Sequence, residues 1–195
     1  MNNNRRTVLL ASAVLAAGLM QGCATKIKAS STDNPPPSKP FSAYSRIVVK
    51  PVAFRPGCDC SQAGLAKIEE NFRKDLAPKT EQWNNRPNDG SVLTVEPIVE
   101  ELSFKRIATR VFLGPLAGSS GVLMRVTFRD DKGNVIANPQ FFQRTAAFSG
   151  GFTLGVQDNI MLTRVANLAS GYIIANYDKA VGGPTGADDK AVRQN

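Results

Sequence analysis

The chain has 195 residues, 42% of them hydrophobic and 21% charged, with a formal net charge of +8. That length and balance suit one domain with a real hydrophobic core and exclude a disordered or fibrous chain. Histidine is absent, which excludes Ser-His-Asp and Cys-His nucleophile pairs and every His-containing zinc site.

A short basic start, Arg5-Arg6, precedes a small and apolar run ending in Leu19-Met20-Gln21-Gly22-Cys23. The run is shorter than the ~20 apolar residues a spanning helix needs, and it has the layout of an export signal. A cysteine at the cleavage point, after small or apolar residues, resembles the lipobox of bacterial lipoproteins. In that family the cysteine is acylated and becomes the first residue of the mature protein. Here Leu19 stands one place early, Met20 stands where leucine is usual, and Gln21 is bulkier than the common serine or alanine. The resemblance implies a signal peptide over residues 1–22 and lipidation at Cys23. Ala24 replaces the aspartate that retains such proteins at the inner membrane, which implies the outer membrane, facing the periplasm. Arg5-Arg6-Thr7-Val8-Leu9 also fits a twin-arginine signal core; the short basic region and the lack of a cofactor motif favour the general secretion route.

Residues 23–41 are polar and proline-rich through Asn34-Pro35-Pro36-Pro37 and read as an extended, lipid-anchored tether. Arg46 to Phe54 is β-branched and apolar, a first strand in which Pro51 implies an edge position or a bulge. Arg55-Pro56-Gly57-Cys58-Asp59-Cys60 breaks it, and Ser61 is suited to cap a helix. In that helix Leu65, Ile68, Phe72 and Leu76 recur at helical spacing, and Pro78 with the polar residues after it is expected to close it. A second strand spans Val92 to Phe104, with a change of phase near Pro97 that implies a bulge.

Residues 105–121 hold Arg106 and Arg110, then Val111, Phe112, Leu113 and Leu116 among glycines and a proline. A third strand, Val122 to Phe128, runs into the turn signal Asp130-Asp131-Lys132-Gly133-Asn134. A fourth follows from Val135 to about Phe148, pairing as a hairpin. The second helix runs from about Gln157 to Tyr177, with Met161, Leu162, Val165, Leu168, Ala169, Tyr172 and Ile173 on one face.

The fold expected is α/β (α+β) with two layers. A four-stranded mixed sheet in β-α-β-β-β-α order carries both helices on one face, the first crossover being right-handed. The domain spans residues 42–178, and the polar end, 179–195, reads as disordered. Arg106 to Gly121, the strand and turn from Val126 to Asn134, and Gly150-Gly151 before an apolar helix resemble uncharacterised periplasmic lipoproteins. Those carry a small domain similar to the CsgG-like and TolB amino-terminal domains. The resemblance covers about residues 42–178 and implies a fold and a compartment, but no site residue.

The chemistry the chain offers is sparse. Glu69-Glu70, Glu100-Glu101 and Asp130-Asp131 are adjacent carboxylates, which diverge on a helix or a strand and read as surface charge. No phosphate-loop or dinucleotide pattern occurs, and no catalytic residue, cofactor or metal site is expected. Basic residues are scattered without a stripe, which argues against nucleic acid. Cys58 and Cys60 remain in an oxidising compartment; they suit a local disulfide, and alternatively a redox or copper(I) role. Segment 106–121 is longer than most strand connections, and its apolar Phe112, Leu113 and Leu116, rimmed by Arg106 and Arg110, suit a partner contact. The alternative is that strand two simply continues and packs these residues in the core. The functional expectation is a non-enzymatic, membrane-tethered adaptor or assembly factor of the envelope, with a protein partner. The alternative is a small-ligand or metal-binding lipoprotein using Cys58 and Cys60.

Overall fold

The computed structural model describes Ile27 and residues 29–58, 60–104, 120–145 and 155–188, with Gln157 described in its backbone only. The described elements run β1 (Asp33–Asn34), a 3-10 turn (Phe41–Ala43), β2 (Arg46–Val49), β3 (Ala53–Phe54), α1 (Gln62–Asn84) and β4 (Val92–Ser103). They continue with β5 (Gly121–Asp130), β6 (Val135–Ala137), β7 (Gln140–Arg144), α2 (Val156–Ala175) and β8 (Gly183–Pro184).

The main sheet is mixed and has six strands, not four. β4 is central, parallel to β2 and β3 on one side and antiparallel to β5 on the other. β6 and β7 both pair with β5. The extra strands arise because prolines break both outer strands. Pro51 lies between β2 and β3, and Pro139 between β6 and β7. Neither proline can donate to the ladder. Pro139 still contributes its carbonyl, which accepts from Val126 N at 3.0 Å.

The bulge falls at Glu100 rather than near Pro97. Pro97 stays in register opposite Val126, whereas the pairing slips between Val99 and Glu101. Inward residues are Leu93, Val95 and Val99 before the slip and Leu102 after it. This accounts for the change of phase in the sequence, since one extra residue returns Leu102 to the core side.

Inward-facing Val122, Met124, Val126 and Phe128 of β5 join those residues in one core with Ile68, Phe72 and Leu76 of α1. Met161, Val165, Ala169, Tyr172 and Ile173 of α2 complete it. The helices therefore cover one face of the sheet. They run side by side in the same direction: Ser170 Oγ donates to Asp75 Oδ2 at 3.2 Å, and Tyr177 stacks on Trp83 with centroids 4.1 Å apart.

Pro78 does not close α1, which continues to Asn84. The missing N–H costs one helical hydrogen bond on an exposed stretch. Thr80 Oγ1 bonds back to Leu76 O at 2.9 Å, and the last turn is fixed by buried Trp83.

Over residues 29–41 and 179–188 the chain is packed on the domain rather than a free tether and tail; residues 23–26, 28 and 189–195 of those expectations lie outside the described residues. From Ala29 on, the chain lies along the β7–β6 edge and continues into the core at Phe41, which stacks on Phe128 at 4.6 Å. Burying a phenylalanine contributes about 1.5–3 kcal/mol. The C-terminal end returns to meet it. β1 pairs antiparallel with β8, and Thr185 is fully buried. A polar, proline-rich stretch has no apolar period to announce this, because its hydrogen bonds come from backbone carbonyls, Ser30 and Asn34.

Candidate functional site at the Gly121 end of the sheet

One end of the sheet collects most features the sequence singles out. β3 ends there at Phe54, opposite Val99, and β4 ends there at Ser103. β5 starts there at Gly121, paired with both Ser103 and Arg144, the last residue of β7. Both parallel helices begin at this end. Gly64, in the first turn of α1, lies so close to Leu102 and Phe104 that an added Cβ would come within 2.7 Å of Leu102 Cδ2. Ser61 caps this helix, its Oγ accepting from Gly64 N at 3.3 Å.

The first described residue, Ile27, is at the same end. Its side chain is beside Gly121, where an ideal Cβ would be 3.5 Å from Ile27 Cβ. Ile27 and Ala187 pack on a small cluster of Ala29, Leu123 and Phe142, set on the opposite side of the sheet from the helices. Ile27 and Ala187 thus meet over one pair of strands. Ser120 is fully buried beside them, its N–H donating to Thr145 Oγ1 at 3.1 Å.

Cys58 and Cys60 sit between β3 and α1 at disulfide distance, with Cα atoms 5.2 Å apart. That separation lies within the usual range for the bond. Cys58 N donates to Arg55 O at 3.1 Å, which closes the turn, and Cys60 packs partly buried against the core. A disulfide here would leave neither sulfur a thiolate for copper(I), so the two uses of the pair exclude each other. Among the described residues no group of three or more His, Cys, Asp or Glu is arranged to hold a metal. Cys23 and the expected contact residues Arg106, Arg110, Phe112, Leu113 and Leu116 lie outside the described residues. The structure does place the stems of that segment, Phe104 and Ser120, at this same end.

The helix-free face beyond this cluster carries a charged ladder that sequence reading missed. Lys50 Nζ pairs with Glu96 Oε1 at 2.7 Å, Arg129 Nε with Glu96 Oε2 at 3.2 Å, and Arg125 Nε with Glu100 Oε1 at 2.5 Å. The hydrogen bond from Lys50 above all, and that from Arg129, hold the Glu96 carboxyl below the usual carboxylate range. These pairs are half-exposed, so each contributes at most about 1 kcal/mol, and the ladder is a solvated sheet face. The alternation Leu93-Thr94-Val95-Glu96 was its sequence signal.

Both outer edges are occupied by side chains. Asn84 Oδ1 accepts from Ile47 N at 2.8 Å, and its Nδ2 donates to Ile47 O at 2.9 Å. Glu69 Oε2 takes Val52 N at 2.6 Å. At the far side Asn34 does for Gln140 what Asn84 does for Ile47. A partner strand would have to displace these groups to extend the sheet.

No helix among the described residues is long and apolar enough to cross a membrane. No family model matches the chain, and no curated protein matches it. Among solved structures it is similar to a variant PelC dodecamer from Paraburkholderia phytofirmans, at 14% identity over 68% of this chain and 90% of that one, TM-score 0.39. A second PelC dodecamer from that organism matches at 16% over 68% and 91%, TM-score 0.35. A candidate lipoprotein from Caulobacter crescentus CB15 matches at 13% over 69% and 93%, TM-score 0.34. None of these three is a CsgG-like or TolB protein by name. Likeness at this level bears on neither family nor partner nor assembly state.

Proposed function

We propose that this protein is a lipoprotein anchored through Cys23 at the periplasmic face of the outer membrane, acting as a non-enzymatic adaptor or assembly factor. The observation that carries this reading is the position of Ile27. It lies four residues after Cys23 and packs beside Gly121, at the end from which segment 105–119 leaves between Phe104 and Ser120. On this reading the anchor is four residues from the end where the stems of the expected contact segment, Phe104 and Ser120, are found. A partner reached through that segment is one that itself sits in or at the bilayer. The closed sheet edges support a contact made by side chains rather than by strand addition.

The test is affinity purification from the protein's own membranes, comparing the parent with a Phe112→Ser, Leu116→Ser double variant. The reading expects a stable partner with the parent, its loss with the variant, and a nearly unchanged melting temperature. A variant destabilised by several kcal/mol, as core truncations are at about 2–5 each, would place these residues in the core instead.

A further inference from the structure

We propose that the domain stands on the bilayer with the Gly121 end of its sheet facing the lipid, anionic headgroups being the partner of that end. This rests on the reading of Cys23 as the lipid anchor and adds an orientation to it. The argument is one of reach. Ile27 follows Cys23 by four residues, a lead of at most about 14 Å when fully extended. Strand β4 spans 12 residues, or roughly 40 Å from one end of the sheet to the other. The lead is thus far too short to bring the Asp130–Asn134 turn, at the opposite end, down to the membrane.

Chain cannot be added to the lead cheaply. Ser30 N and Oγ donate to Gln140 Oε1 at 3.2 and 2.9 Å, and Asn34 holds both backbone groups of Gln140. Thr185 Oγ1 donates to Ser31 O at 2.6 Å, and Thr185 N to Thr32 O at 2.8 Å. Tyr172 OH donates to Pro35 O at 2.9 Å. Freeing the strap from Ile27 to Pro35 would break all of these together, which makes that a rare state.

The chemistry of the end suits a headgroup layer. Arg55 is exposed in the turn after β3, and Val156, the first residue of α2, is 51% exposed. The lead from Cys23 to Thr32 carries Lys26 and Lys28 and no acid. Both helices begin here, so their partly positive ends face the same way. The opposite end mixes Asp89, Asp130 and Asp131 with Arg86 and Lys132, and the Gly121 end carries Glu101 and Asp158 beside Arg55. An apolar side chain beside cations, rather than either alone, is what a bilayer interface takes.

The experiment uses the full acylated protein in vesicles of phosphatidylethanolamine and phosphatidylglycerol. A photo-crosslinking residue is placed in turn at Arg55, Val156, Val48 on the helix-free face and Asp131 in the far turn. Lipid adducts are expected at Arg55 and Val156 and at background level at Val48 and Asp131. Replacing phosphatidylglycerol with phosphatidylcholine is expected to lower the yield at Val156, where the crosslinker leaves Arg55 intact. Intact mass is read first. Protein without acyl chains overturns the anchor reading and the orientation with it. Acylated protein labelled at Asp131 or Val48 as strongly as at Arg55 overturns the orientation and leaves the anchor standing. Equal yields in the two lipid mixtures overturn the headgroup assignment.

Discussion

Asn34 occupies the place of a neighbouring strand beside Gln140: its Oδ1 accepts from Gln140 N at 2.8 Å, and its Nδ2 donates to Gln140 O at 2.8 Å. Asn34 is only 7% exposed, so its amide is fully committed to this edge. Asn34→Ala leaves two backbone groups without partners. At about 1–3 kcal/mol for each group left unpaired, urea unfolding should show a loss of about 2–6 kcal/mol. Asn34→Asp should not rescue it, because a carboxylate cannot donate to Gln140 O. A change below 0.5 kcal/mol, taken here as about the noise of a surface substitution, would mean the edge is not closed in this way.

Gly186 is the most demanding position in the C-terminal clasp. Its φ of +82° lies in the left-handed region, and an added Cβ would sit 2.4 Å from Phe142 O. Gly186→Ala therefore meets both backbone strain and a backbone clash, about 1–3 kcal/mol for the conformation alone. Hydrogen exchange should report it at the Phe142 amide, which donates to Thr185 O at 2.7 Å and should lose protection before the core strands do. Unchanged protection there would show that residues past Pro184 do not hold this edge.

How much of this was legible in the sequence depends on where the hydrogen bonds come from. The apolar face of α2 is written in its spacing, and Met161, Leu162, Val165, Ala169, Tyr172 and Ile173 are all buried as that spacing implies. The turn at Asp130 to Asn134 is likewise local: Asp130 Oδ1 accepts from Lys132 N and Asn134 N at 3.0 and 2.8 Å, and Gly133 has φ +81°. The strap and clasp were hidden because their partners are remote, Asn34 and Gln140 being 106 residues apart. Pro78 misled because a proline forbids one hydrogen bond, and the buried Trp83 and the edge-capping Asn84 beyond it outweigh that loss. At the candidate site, the adjacency of Cys58 and Cys60 was readable from spacing, whereas the return of Ile27 to Gly121 was not.

Tyr172 couples the strap to alkaline pH. Burial pushes its phenol up to about 12 from an ordinary value of 10.0. The folded state thus holds a proton that the unfolded chain gives up at lower pH. The stabilising contribution is complete below pH 10 and is lost as pH rises toward 12, by up to about 3 kcal/mol. Tyr172→Phe should lose the bond to Pro35 O at neutral pH, about 0.5–1.5 kcal/mol. It should also show a shallower decline than the parent between pH 10 and 12. Parallel stability curves would place the phenol in solvent.

Cys58 and Cys60 should be oxidised together in the exported protein. Alkylation followed by intact mass should reveal two thiols only after reduction. Two free thiols in freshly isolated protein, under conditions that prevent reduction, would remove the disulfide and restore a thiolate metal site as the leading use of the pair.

The anchor at Cys23 underlies both the proposed function and the orientation, and fatty-acid labelling of the parent and Cys23→Ser in cells tests it most directly. The parent should take up label and fractionate with the outer membrane, and the variant should take up none and leave the membrane fraction. A Cys23→Ser protein that remains acylated and fractionates like the parent would contradict the account.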